Sequence, residues 1–197
     1  MKTKDISLNE KIAMSDPRKE LDKLKLGDLA GEVLTMSINK LLVNLRFMDY
    51  AMNRLVPYQY DGPVAVDGTH FFYNPYQLLL AYRQSREMPA HAYLHGVLHC
   101  VFRHFYIGTL MDKDCWDLAC DIAVEAMILE LGLDCTRVGD EEAQEIELAQ
   151  LRESVGTLTA EKLYRYFLDG GESKERMAKL RRLFVIEIGR ASCRERV

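Results

Sequence analysis

The residues best equipped for chemistry lie in "HAYLHGVLHCVFRH", 91–104, which holds four of the five histidines of the chain. A helical step of four residues turns about 400°, so residues four apart stand about 40° from each other on one face. His91, His95 and His99 therefore form a row. His95 and His99 together offer two imidazole nitrogens pointing the same way, which is what a zinc ion takes from one helix. The spacing is that of the H-E-x-x-H signature, yet Gly96 occupies the glutamate position. His104 is nine residues past His95, about 900° or half a turn off the row. No glycine or proline lies between His99 and His104, so a continuous helix turns His104 to the opposite side and leaves it a supporting role.

A third ligand has to come from elsewhere, and "DCWDLACDIAVEAMI" (114–128) offers one. Asp117, Asp121 and Glu125 again step by four, among Leu118, Ile122 and Val124. A buried charge is costly unless it is paired or bound to metal. Asp121 sits deepest in the apolar run and is the expected third ligand. Asp117 or Glu125 is placed to orient the imidazoles through their second ring nitrogens. The same residues also suit a metal-free core in which histidine–carboxylate pairs join two helices. The residue pattern alone leaves both readings open.

Both rows need elements to hold them. Apolar residues recurring from Leu29 to Leu55 predict one long helix over about 28–55, ended by Pro57 and "YQYDGP". "VAVDGTHFFYNP" (64–75) reads as two short strands around Asp67-Gly68, the strongest hairpin signal in the chain. Asn74 and Pro75 cap and start a helix ending near Ser85. Pro89 opens the histidine helix, expected to run to about Tyr106, and the acidic helix spans about 114–131. An acidic stretch with a short surface helix follows, then a helix between Thr159 and Gly170-Gly171. The expected fold class is α+β, mostly α, a helical domain carrying a small β-hairpin.

A chain of 197 residues suits one domain with a real core. The net charge of −4, with no basic cluster, argues against nucleic-acid binding. No apolar run reaches the length of a membrane span, and "MKTKDISLNEK" lacks a secretory hydrophobic region, so a cytoplasmic location is expected. The five cysteines form no C-x-x-C pair and read as reduced thiols. Residues 1–25 are a polar lead-in and 26–187 the domain proper.

The last ten residues, "IGRASCRERV" (188–197), resemble the translation of a common sequencing adapter. A non-native tail there implies a domain truncated at its C-terminus.

Four separated blocks resemble a bacterial family of metallopeptidase-type, zincin-like domains that precede a von Willebrand factor A-like (VWA-like) domain. They are "VDGTHFFYNP" (66–75), His95, His99 and His104 at the positions of H-E-x-x-H-x-x-x-x-H, "WDLACDIAVE" (116–125) and "AEKLY" (160–164). Their order and spacing agree over about 60–170. The resemblance implies zinc on His95, His99 and Asp121, and a VWA-like domain beyond the truncation. It also implies a MoxR-type AAA+ ATPase as partner.

Gly96 is the departure from the family pattern. In an H-E-x-x-H enzyme the glutamate polarises the zinc-bound water and passes its proton to the leaving amine, and glycine does neither. The expectation is therefore a zinc-binding, metallopeptidase-like domain without ordinary peptidase activity, serving as a metal-stabilised interaction module. Two alternatives stand beside it. One is an active zinc-dependent hydrolase using Glu125 as substitute base. The other is a metal-free helical scaffold.

Overall fold

The computed structural model describes residues 17–105 and 111–185, with side chains from residue 21 onward. The adapter-like tail at 188–197 and the first part of the lead-in lie outside these residues. The fold is α+β and mostly α, as expected, with eight α-helices among the described residues and one small sheet.

Helix α1 (Pro17–Asn44) starts earlier than the apolar pattern predicts, so the later part of the polar lead-in is helical. The long helix expected to reach Leu55 does not hold together. Leu45 leaves helical geometry (φ −120°, ψ 54°), and a 3₁₀ turn at Arg46–Met48 passes into the short α2 (Asp49–Met52). Leu45, Met52 and Leu55 are all buried, so the chain bends to keep these three side chains in the core.

Strand β1 (Val56–Gln59) then pairs in parallel with β3 (His70–Tyr73), and β2 (Ala65–Val66) pairs with β3 in antiparallel fashion. The hairpin at Asp67-Gly68 is thus present. Asp67 Oδ1 accepts from the backbone N–H groups of Thr69 and His70 at 2.8 and 2.6 Å, and Gly68 supplies the positive φ of 87°. Strand β1 was unexpected because Pro57 reads as a breaker. It is an exposed edge strand, where proline is tolerated.

Helix α3 (Pro75–Gln84) begins as its capping residues require, with Asn74 Oδ1 accepting from Gln77 N. Helix α4 (Met88–Val101) carries the histidines, and residues 89–99 are buried without interruption. Helix α5 (Lys113–Leu131) is capped by the Asp112 side chain and closed by left-handed Gly132. Helices α6 (Glu141–Val155), α7 (Ala160–Leu168) and α8 (Lys174–Phe184) complete the fold.

Two apolar clusters organise the packing. One joins α1, the sheet, α3 and α4, and the other joins α5 to α6, α7 and α8. Helix α5 belongs to both, through Val124 and Ile128 on one side and Leu118 and Ile122 on the other. Its row of acids meets the histidine row of α4 between the two clusters. No helix among the described residues is long and apolar enough to cross a membrane.

Candidate metal centre

Helices α4 and α5 pack so that histidines and carboxylates alternate along the contact. His91 meets Glu125, Glu125 meets His95, and Asp121 lies between His95 and His99. All three histidines and Glu125 are at most 5% exposed. A helix pair this apolar accepts so many polar groups only if they satisfy one another or hold an ion.

His95 Nε2 and His99 Nε2 are 2.8 Å apart, and Asp121 Oδ1 is 3.5 and 3.3 Å from them. A tetrahedral zinc with bonds of about 2.0–2.1 Å sets donor–donor separations of about 3.3 Å. The three donors stand close to that triangle, and two imidazoles with one carboxylate match the three-ligand sets that leave a position open on zinc. The residues present therefore fit a divalent ion, and they are the three expected from the sequence. A second group, His91, His95 and Glu125, also has donor atoms that all lie within 4.8 Å of one another.

The second group is held together differently. His91 Nδ1 donates to the Thr136 carbonyl at 2.7 Å, and its Nε2 lies 3.0 and 3.1 Å from the two Glu125 oxygens. Both ring nitrogens face acceptors, which makes His91 an imidazolium paired with ionised Glu125. Burial alone lowers the His91 pKa, but the Glu125 charge and hydrogen bonds outweigh it and raise the value. Burial would raise Glu125, yet His91 and His95 hold it down at about 2. Glu125 Oε1 also accepts from His95 Nδ1 at 2.6 Å. That bond puts a proton of His95 on Nδ1 and leaves Nε2 facing Asp121 and His99, the orientation a ligating histidine needs. Burial lowers the His95 pKa, but Asp121 and Glu125 outweigh it and raise the ion-free ring to about 9, so an ion there would displace the Nε2 proton. Gln144 Nε2 reaches Glu125 Oε2 at 3.4 Å.

Asp117 does not take the orienting role expected of it. Its Oδ1 is buried and has no hydrogen-bond partner among the described residues. Burial, followed by the nearby Asp121 charge, pushes its carboxyl up to about 6.

His104 corrects the helix geometry assumed from the sequence. Helix α4 ends at Val101, and Arg103 takes the left-handed conformation (φ 59°). A non-glycine residue pays about 1–2 kcal/mol for that. The turn brings His104 back onto the histidine row instead of the opposite side. Its N–H bonds to the His99 carbonyl at 3.0 Å, and its Nδ1 is 3.2 Å from His99 Nδ1. Trp116 Nε1 secures it by donating to the His104 carbonyl at 3.0 Å. Burial pushes His104 down to about 3, so it is neutral.

Gly96 faces the sheet. A Cβ there would meet Val66 Cγ1 at 2.9 Å and the Phe71 ring at 3.5 Å. The flank that carries the glutamate in H-E-x-x-H is covered by the hairpin.

The family model described as "Putative metallopeptidase domain" matches residues 34–184, well over half of the chain. The chain belongs to this family. The match runs from α1 to the last residue of α8 and includes every residue of both donor groups. Neither the curated proteins nor the solved structures contain a significant match to the chain.

The residues that escaped sequence reasoning are the ones set by long-range contact. Thr136 and Gln144 reach the centre from segments far along the chain, with no periodic signal to mark them. Gly96 did carry a signal, because a glycine inside a buried helix marks close approach of another element.

Proposed function

We propose that this metallopeptidase-family domain binds one zinc ion through His95, His99 and Asp121 and works as a metal-stabilised interaction module, without ordinary peptidase activity. The observation that carries the reading is the packing at Gly96. The absent glutamate cannot be supplied there without displacing Val66. A bound zinc supplies concentrated positive charge and Lewis acidity at the three donors. Glu125 holds His95 in the ligating tautomer, His91 neutralises Glu125, and the surrounding core excludes water from both. The partners of the module are a VWA-like domain of the same protein and a MoxR-type AAA+ ATPase, in a bacterial cytoplasm.

One observation favours a second reading, a zinc-dependent hydrolase. Glu125, the substitute base expected from the sequence, has both oxygens engaged by His91, His95 and Gln144. Asp117 instead keeps a buried oxygen without a partner among the described residues and a raised pKa. In this reading Asp117 accepts the proton.

A peptidase assay on the zinc-loaded chain separates the two. The first reading predicts no cleavage of unfolded protein substrates, together with a melting temperature that falls on chelation. Saturation at about a hundred times Kd contributes about 2.7 kcal/mol, or roughly 5–10 °C for a chain of this length. Cleavage that disappears in Asp117→Asn would establish the second reading instead.

A further inference from the structure

A cavity of about 530 Å³ opens behind the histidine row, between the end of α4, the outer face of α5 and the loop joining α6 to α7. Phe102, Ala123, Ala126, Met127 and Leu158 give it an apolar lining, and His104 lines it too. Its size lies within the range of small-ligand pockets, about 300–1,000 Å³. At the rim Arg152 pairs with Glu130 at 2.8 Å, and Glu161 is the one further charged residue of the lining.

The polar atom that matters is His104 Nε2. His104 is 5% exposed, and its other nitrogen is occupied by His99. Nε2 has no hydrogen-bond partner among the described residues, and His104 lines the cavity. A buried imidazole nitrogen without a protein partner, on a residue lining an apolar cavity, calls for a partner from a ligand.

Its hydrogen-bonding sense follows from the metal centre. If His99 ligates through Nε2, its one remaining proton is on Nδ1. That N–H donates to His104 Nδ1, 3.2 Å away. With Nδ1 accepting that bond, the ring proton of His104 sits on Nε2, which offers a donor to the cavity. We propose that this cavity binds an apolar residue of a peptide segment, whose side chain fills the space between Phe102, Ala123 and Met127 while its backbone carbonyl accepts from His104 Nε2–H. The donor calls for a carbonyl and the lining calls for an apolar side chain beside it, the pair of groups that one apolar residue of a peptide supplies. The donor sense rests on the metal reading of His99, and the cavity itself does not.

The test uses the full 197-residue chain, with zinc content measured on the same sample. Trp116, the single tryptophan, bonds to His104 and reports on it by fluorescence. Titration with N-acetylphenylalaninamide is expected to give a saturable change, with toluene as the carbonyl-free control. His104→Phe should weaken binding of the amide about five- to tenfold and leave toluene unaffected, as expected for loss of one hydrogen bond. Ala123→Met, which fills the cavity, should abolish both. Nitrogen-15 NMR of the unsubstituted chain, which depends on no variant, should show His104 as the Nε2–H tautomer with that resonance moving on saturation. Zinc uptake without a saturable probe response, or with an unmoved His104 resonance, overturns the inference and leaves the metal reading intact. A chain that takes up no zinc yet binds the amide through His104 ends the metal reading and keeps the cavity assignment.

Discussion

A Cβ at position 96 would lie 2.9 Å from Val66 Cγ1, closer than side-chain carbons approach, and valine has little rotamer freedom with which to retreat. Alanine normally gains about 1 kcal/mol over glycine in a helix interior. Overpacking a core costs about 1–3 kcal/mol, so Gly96→Ala is predicted to be no more stable than the parent. Gly96→Glu adds a carboxylate to the same apolar contact and should destabilise the fold by about 2 kcal/mol or more. Denaturant unfolding of the three proteins checks this. A Gly96→Glu variant as stable as the parent and newly proteolytic would show that the base had a place to stand. At this scale the sequence was informative about residue types. The row of His91, His95 and His99 and the facing Asp121 and Glu125 were legible from steps of four, because helical periodicity alone decides them. What covers Gly96 was not legible, because it depends on where the hairpin lands.

Among elements, the join between α6 and α8 offers a separate test that does not involve the histidines. Glu147 on α6 is buried and pairs with Lys179 at 2.5 Å and with Arg176, both on α8. Burial would raise its pKa, but the two cations outweigh that and hold it below the ordinary value. A carboxylate depressed in the folded state stabilises the fold above its unfolded pKa, about 4.3. That stability is lost as the pH falls through the lower folded value. Glu147→Gln should therefore be less stable at neutral pH and show a shallower loss of stability below about pH 4.3. An acid limb identical to that of the parent would contradict the pairing. Elements were partly readable. The capped helices at Asn74 and Thr159 start where their side chains bond the first-turn N–H groups. The failures were at ends set by tertiary contact: α1 breaks at Leu45 to keep it buried, and α4 stops at Val101 so that His104 can return.

In the whole molecule, α5 is shared by two apolar clusters, and the donor row lies along its face toward α4. An ion held by two residues of α4 and one of α5 would tie one cluster to the other, which is why removing it should lower the melting temperature of the entire fold. The α+β, mostly α class was legible from periodicity and one Asp-Gly turn. The parallel strand β1 was not, since its pairing to β3 is a contact across the chain, made by a segment containing Pro57. The measurement that bears most directly on the account is the metal content of the purified chain, taken beside His95→Ala and Asp121→Asn. The account predicts one zinc per chain in the parent and less than about a tenth of that in either variant, since even residues that only orient a zinc ligand are worth about 10–100-fold in affinity and a ligand itself is worth more. A parent without zinc, or variants that retain it in full, would contradict it.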